Sequence, residues 1–113
     1  MFNNVIIVGR TTTEPKLYTF DSGAKAVYLD IAVVRPFKNE NNEFETDFIP
    51  VSFWHGTAEK LDEYCGKGSV IAIQGRLTTR LVDKQGVKTK VVDVVADRVH
   101  FIDLVPRNRQ ETE

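Results

Sequence analysis

The stretch DFIPVSFW at residues 47–54 alternates the character of its side chains with a period of two, which is typical of a β-strand. Successive strand side chains point to opposite faces, so Ile49, Val51 and Phe53 are predicted to form a core face. Phe48 and Trp54 are six residues apart, an even number, and therefore share the other face. Two large aromatics on that face predict either a working outer surface or a layer covered by protein, and the pattern alone favours neither.

Pro50 lies in the middle of this stretch and weakens its capacity for sheet hydrogen bonding. Proline has no N–H to donate, so within sheets it is confined to edge strands and bulges. We therefore expect the strand either to lie at a sheet edge or to be bulged at Pro50.

Other segments on both sides of this stretch share its strand-like pattern and are separated by turn residues. They cover residues 5–12, 26–34, 69–80 and 88–99, and the polar residues 35–45 are predicted to form a hairpin tip. Residues 15–23 are predicted to be a loop.

A short helix is predicted after the third strand, where the spacing of apolar residues changes from two to three or four. Ala58, Leu61 and Tyr64 or Cys65 recur at that spacing, and Thr57 is placed to cap the start of the helix. The order β-β-β-α-β-β predicts an all-β fold, the five-stranded OB-fold barrel with one short helix between strands 3 and 4. Other small β-barrels fit the same pattern.

The composition limits how the chain can be organised and what it can bind. Its 113 residues fit one domain, expected at residues 1–105, with a short polar tail at residues 106–113. Fifteen basic and 16 acidic residues give a formal net charge of −1, which counts against a nucleic-acid binder that relies on charge alone. Cys65 is the single cysteine, so neither a disulfide nor a zinc site is expected, and a reducing cytosol is the expected setting. No cofactor is expected. The apolar run at residues 5–8 is too short for a signal peptide or a membrane span.

Candidate binding residues follow from the way OB-folds bind ligands. These barrels bind oligonucleotides largely on the face of strands 2 and 3, where exposed aromatic rings stack on bases with little sequence preference. Phe48 and Trp54 lie on the third predicted strand and Phe37 lies in the adjoining hairpin, so these three are the candidate stacking residues. Basic side chains that can neutralise phosphates complete the candidate site. They are Arg10, Arg35, Lys38, Arg76, Arg80, Lys84 and Lys88.

The sequence resembles the bacterial single-stranded DNA-binding protein family over roughly residues 1–105. The matching stretches are NVIIVGR (4–10), EP (14–15), DFIPVSFW (47–54), TAEKL (57–61), YCGKGS (64–69), GRLTTR (75–80) and VVDVVAD (91–97). The resemblance implies an OB-fold homotetramer that wraps and coats single-stranded DNA in replication, recombination, repair or DNA uptake, in the cytoplasm at the nucleoid. It also implies base stacking by Phe37, Phe48 and Trp54.

The sequence departs from the family pattern at three places. A fourth stacking position falls on Val82, which is not aromatic, and Pro50 stands where a polar residue is usual. The chain ends PRNRQETE at residues 106–113, without the acidic, phenylalanine-tipped peptide through which housekeeping members recruit repair and replication enzymes. We therefore expect that recruitment to be absent, as in short paralogues linked to DNA uptake or in phage and plasmid versions. A shortened chain is the other explanation.

Three alternatives remain. A primosome-type OB protein would be dimeric and would lack most stacking aromatics, so the three candidate aromatics argue against it. An OB domain that binds only protein would bury those aromatics in an interface, and the near-zero net charge supports it. An enzyme is not expected, because GKGS at residues 66–69 lacks P-loop spacing, His55 and His100 have no metal-ligand spacing, and Cys65 falls on the helix stripe.

Overall fold

The computed structural model describes residues 1–107, and the alternating stretch at residues 47–54 forms most of one strand in it. The elements, in chain order, are β1 (Val5–Thr11), β2 (Tyr18–Thr19), β3 (Lys25–Lys38), β4 (Phe44–Trp54), α1 (His55–Tyr64), β5 (Val70–Lys84) and β6 (Val87–Asp103). Five long strands, with one helix between the third and fourth of them, confirm the predicted order.

The two-residue β2 corrects the prediction of an uninterrupted loop at residues 15–23. Tyr18 and Thr19 pair with Ala26 and Lys25 at the start of β3. β1 pairs with β3 only at Ile31 and Ala32, so the first residues of β3 are free to pair with β2.

The five long strands close into a barrel. β1 pairs antiparallel with β5, β5 with β6, and β3 with β4. A short parallel pairing joins Val51 and Ser52 of β4 to β6, and Arg10 and Thr11 of β1 pair with β3. Each long strand therefore has a neighbour on both sides, as the OB-fold prediction requires.

The core lies inside this barrel and consists of inward-facing side chains from every long strand and from α1. Phe53 is fully buried, and Val51 and the partly buried Ile49 lie on the same side of β4, so the predicted core face of residues 47–54 is confirmed. The buried cluster consists of Ile7, Val27, Leu29, Ile31, Val51, Phe53, Ala58, Leu61, Cys65, Ile71, Ile73, Val94 and Ala96.

α1 begins directly where β4 ends, without an intervening loop. Trp54 is still extended, with φ −129° and ψ 151°, and His55 turns the chain with a φ of 54°. Thr57 therefore lies within the first turn, and the prediction that it caps the helix is wrong because the helix starts two residues earlier. Ala58 and Leu61 are buried, as their helical spacing predicted.

The hairpin between β3 and β4 is more regular than the sequence suggested. The strands continue to Lys38 and Phe44, so the polar tip covers residues 39–43 and not the predicted 35–45. The register shifts between Val34 and Lys38, which marks a bulge in β3.

The hairpin between β5 and β6 ends in a two-residue turn. Gln85 and Gly86 both have positive φ, at 52° and 83°. Positive φ at both central residues is what a tight hairpin turn of this kind requires, because its twist then matches that of the strands.

The chain beyond β6 returns to the barrel as far as it is described. The Arg107 guanidinium donates hydrogen bonds to the carbonyl oxygens of Pro15 and Cys65 at 2.8 and 3.1 Å. Burial raises the pKa of the Cys65 thiol there, which suits a core position. The rest of the predicted polar tail, residues 108–113, lies outside the described residues. Within residues 1–107, no helix is long and apolar enough to cross a membrane.

Candidate nucleic-acid interface

The outer face of β3 and β4 carries two of the aromatics singled out in the sequence. The antiparallel register places Trp54 opposite Ala26 and Phe48 opposite Ala32, with Tyr28 on the same face between them. Phe48 is 61% exposed, so it does not pack under a loop. The small alanine side chains across the strand leave room beside both rings.

Trp54 is the centre of an aromatic cluster. Its ring stacks on Phe20 with centroids 6.0 Å apart and an interplanar angle of 17°, and it meets Tyr28 edge-on at 5.8 Å and 86°. Tyr18 extends the cluster from Tyr28, at 6.3 Å. The indole Nε1 donates a hydrogen bond to Ser52 Oγ at 3.1 Å, which fixes the orientation of the ring. The cluster is therefore half-exposed, and its central ring is held in a fixed orientation.

Sequence reasoning missed Tyr18, Phe20 and Tyr28. Tyr28 alternates with core residues in a predicted strand, so its outward direction could have been read, but its position beside Trp54 depends on the register. Phe20 lies in the turn between β2 and β3, where no periodicity indicates which way a side chain points.

A cleft of about 840 Å³ opens beside the cluster, across β3, β4, β5 and β6. It combines aromatic, hydroxyl and charged side chains, and it is lined by Thr12, Thr13, Tyr28, Leu29, Asp30, Pro50, Val51, Ser52, Trp54, Thr78, Arg80, Asp93 and Val95. Trp54 and Arg80 are the predicted site residues among them. The fold thus brings a stacking ring and a guanidinium group, distant in sequence, to one cleft.

Pro50 lies in this cleft in regular, unbulged strand. Its register with Asp30 continues the pairing of β3 and β4 without a shift. The pairing of β4 with β6 covers Val51 and Ser52 and does not include Pro50. At Pro50, β4 is therefore paired with a neighbouring strand on one side only, as the prediction of an edge position required. The alternative prediction of a bulge at Pro50 is wrong.

Phe37 and Phe44 lie at the tip of the β3–β4 hairpin, away from the core. They are 63% and 55% exposed, so neither is buried in the barrel core. Lys38 Nζ lies 5.6 Å from the centroid of the Phe44 ring, a cation–π distance. Because the register shifts just before Lys38, strand parity does not assign Phe37 to the Trp54 face, and its stacking role stays a prediction.

Arg35, a predicted phosphate ligand, is ion-paired within the hairpin. Its Nε and Nη2 donate to the two carboxylate oxygens of Asp47 at 3.0 and 2.9 Å, and Nη1 reaches Glu45 at 3.3 Å. Hydrogen bonding to Asp47 raises the pKa of Arg35, and the same bonds lower the pKa of Asp47. The guanidinium is held in place, but its charge is already compensated.

Arg76 and Arg80 on β5 are also ion-paired, each with one carboxylate. Arg76 contacts Asp97 and Arg80 contacts Asp93, each at 2.5 Å. The other carboxylate oxygen of Asp93 is buried and has no hydrogen-bond partner among the described residues. These pairs explain how a face with several arginines occurs in a chain with a net charge of −1.

The remaining predicted basic residues lie apart from the cleft. Lys84 and Lys88 flank the β5–β6 turn and form no ion pair with any residue from 1 to 107. Val82 lies in the same hairpin, paired with Thr89. Arg10 donates a hydrogen bond to the Gly68 carbonyl oxygen at 2.9 Å and does not line the cleft.

The fold and the aromatic cleft define a class: the chain is an OB-fold domain with exposed aromatic rings on its β3–β4 face, and it is on the corresponding face that OB-folds in general bind oligonucleotides. The chain belongs to the Single-strand binding protein family, whose sequence profile matches residues 2–102. Family members are binding proteins and not enzymes, in agreement with the sequence-based expectation. Within residues 1–107, no three His, Cys, Asp or Glu side chains are placed to hold a metal ion.

Relatives cover nearly the whole chain. Single-stranded DNA-binding protein B of Bacillus subtilis is 41% identical over 110 residues, which are 96% of this chain and 97% of that protein. A Staphylococcus aureus single-stranded DNA-binding protein is 39% identical over 114 residues, covering 100% of this chain and 72% of the relative. The Plasmodium falciparum SSB, solved in complex with ssDNA, superposes with a TM-score of 0.79 at 21% identity, over 91% of this chain and 96% of that one, and supports the fold.

Proposed function

We propose that this protein binds single-stranded DNA by stacking unpaired bases on its aromatic face and neutralising phosphates with the basic residues around it. The observation that carries the proposal is the half-exposed ring cluster of Trp54, Tyr28 and Phe20 beside the cleft, with Phe48 exposed further along the same face. Relatives that are named single-stranded DNA-binding proteins support it. Every base has a π-face, so stacking tolerates any sequence and the protein coats DNA.

The ion pairs give the electrostatic part of this mechanism a specific form. A phosphate that binds Arg35, Arg76 or Arg80 has to compete with the carboxylate that is already bonded to the guanidinium. The ion pair orients the arginine before DNA binds, but the carboxylate offsets part of the attraction between the arginine and the phosphate. Stacking on the aromatic face is then expected to supply a larger share of the affinity than in a strongly basic protein. Unpaired DNA in the cytoplasm, at the nucleoid, is the setting that this function implies.

Trp54 provides the direct test, because it is the only tryptophan in the chain. Oligothymidylates of several lengths and a matched duplex are titrated into the protein while tryptophan fluorescence is followed. Quenching by the single strands alone is the expected result, since duplex bases are already stacked on each other. No quenching, together with no binding by an independent assay, would assign the aromatics to a protein interface instead.

The salt dependence of binding tests whether Lys88, which has no ion pair among residues 1–107, contacts a phosphate. Lys88→Ala is expected to reduce the slope of log K against log salt concentration by about 0.7, the contribution of one phosphate contact to a single strand. Lys60→Ala, on α1 and outside the predicted site, is the control that removes the same charge. Equal slopes for the Lys88 variant and the wild type, measured by titration at several salt concentrations, would remove Lys88 from the phosphate contacts.

The homotetramer remains a proposal, and the exposed side of β1 supports it. Ile6 and Val8 are 72% and 51% exposed on the outer face of a strand whose alternate residues Ile7 and Thr11 are buried. Exposed neighbouring aliphatics at alternate positions of one strand favour burial against another subunit, here a second copy of this chain.

Ile6→Glu tests this assembly. A charge in an apolar interface is costly to desolvate, so the variant is expected to sediment as a smaller species than the wild type at micromolar concentration. Glu63→Lys, on α1, is a control for an exposed charge change. A wild type that is already a monomer, or an Ile6 variant of unchanged mass, would exclude β1 as the interface.

A further inference from the structure

Asp30 is the carboxylate of the cleft that no cation compensates. Arg80 and Asp93, which also line the cleft, neutralise each other. The Asp30 backbone oxygen accepts a hydrogen bond from Thr12 Oγ1 at 2.8 Å, but its carboxylate makes no hydrogen bond or ion pair with any residue from 1 to 107. Pro50 of β4 lies directly opposite Asp30, and its side chain has no hydrogen-bond donor.

The register places this carboxylate between stacking rings. Along β3, Asp30 follows Tyr28 by two residues on the same face, a separation of roughly 7 Å in a strand. Phe48 is the diagonal neighbour across the strand pair, at roughly 7–8 Å. A base that stacks on either ring therefore has its edge within reach of the Asp30 carboxylate.

A bound strand must satisfy this carboxylate, because covering a charged group without a hydrogen bond costs free energy. Phosphates carry only acceptor oxygens and the same sign of charge, so they are kept away from Asp30 and the bases turn towards it. The bases differ in what their Watson–Crick edges offer. Guanine presents N1–H and the 2-amino group side by side, which matches two carboxylate oxygens. Thymine presents one N–H between two carbonyl oxygens, and a carboxylate repels both of these oxygens. Adenine and cytosine present one amino group beside a ring nitrogen acceptor.

We propose that Asp30 makes one subsite of the aromatic face, between Tyr28 and Phe48, prefer guanine over thymine through a bidentate hydrogen bond to the base edge. The inference rests on the proposed single-strand binding and adds local base discrimination to sequence-tolerant stacking. Bidentate contacts between a side chain and a base discriminate by an amount that corresponds to on the order of tenfold in affinity.

Asp30→Asn tests the proposal with almost no change in side-chain shape. Three oligonucleotides of equal length are compared: oligothymidylate, and the same strand with isolated guanines or isolated inosines. Isolated substitutions avoid guanine quadruplexes, and inosine keeps the purine ring and N1–H but lacks the 2-amino group. Asp103→Asn removes the same charge from an exposed position at the end of β6, outside the cleft.

We expect the wild type and the Asp103 variant to bind the guanine strand on the order of tenfold more tightly than oligothymidylate, with inosine intermediate. In the Asp30 variant this guanine-to-thymine ratio is expected to collapse towards the value that purine stacking alone gives. An equal ratio in the wild type and the Asp30 variant would overturn the proposal while leaving single-strand binding intact. Failure of the wild type to bind any of the strands would contradict the proposed function itself.

Discussion

Replacement of Trp54 by alanine is expected to weaken the binding of oligothymidylate by about 1–3 kcal/mol, roughly 5- to 150-fold in Kd. The indole lies at the centre of the ring cluster, and its orientation is fixed by Phe20, Tyr28 and the hydrogen bond to Ser52. A bound base therefore meets a ring that has already lost its rotational freedom. Alanine removes the stacking surface and also loosens the two neighbouring rings.

Because this variant lacks the fluorescent probe, the affinity is measured by the anisotropy of a labelled oligothymidylate. Trp54→Phe keeps a smaller ring and is expected to lie between the wild type and the alanine variant. Tyr64→Ala, which removes an exposed aromatic from α1, is the matched control and should bind like the wild type. An alanine variant that is folded and binds with unchanged affinity would remove Trp54 from the site.

The stretch at residues 47–54 shows how far sequence patterns reach. Alternation alone correctly predicted that Ile49, Val51 and Phe53 face the core and that Phe48 and Trp54 share the outer face. Strand periodicity is a local property, and it holds wherever pairing forces the chain to be extended.

What the pattern could not supply is register, which depends on the pairing partner. The neighbours of Trp54, above all Tyr28 and Phe20, are set by the alignment of β3 with β4 and by the fold of a turn, and neither has a local sequence signal. The same limit applies to charge. Arg80 was predicted as a phosphate ligand. Its ion pair with Asp93 could not be predicted from the sequence, because it depends on the pairing of β5 with β6.

These ion pairs bear on the contrast between a neutral chain and a DNA-binding role. A carboxylate beside each of Arg35, Arg76 and Arg80 lowers the net positive field of the face, so long-range attraction of DNA is weaker than the number of basic residues suggests. It also orients the guanidinium before the ligand arrives. The near-neutral composition, which counted against charge-driven binding, is therefore compatible with binding that rests on stacking.

Replacement of Phe53 by alanine is expected to lower the free energy of unfolding by about 3–5 kcal/mol, the usual cost of deleting a large aromatic from a core. Phe53 is fully buried in the barrel, one residue before Trp54 on the opposite face of β4. Its ring packs within the cluster that also includes Ile31 and Leu61. Alanine leaves a cavity that the closed ring of strands cannot fill by collapsing.

Urea unfolding followed by circular dichroism measures this loss, at one fixed protein concentration because assembly contributes to apparent stability. Phe48→Ala is the matched control, since it makes the same substitution on the same strand at a position that is 61% exposed. We expect that control to unfold nearly like the wild type and to bind single-stranded DNA less tightly. The Phe53 variant is expected to retain affinity for DNA while it remains folded. Equal loss of stability in both variants would contradict the division of β4 into a core face and a binding face, on which the proposed function depends.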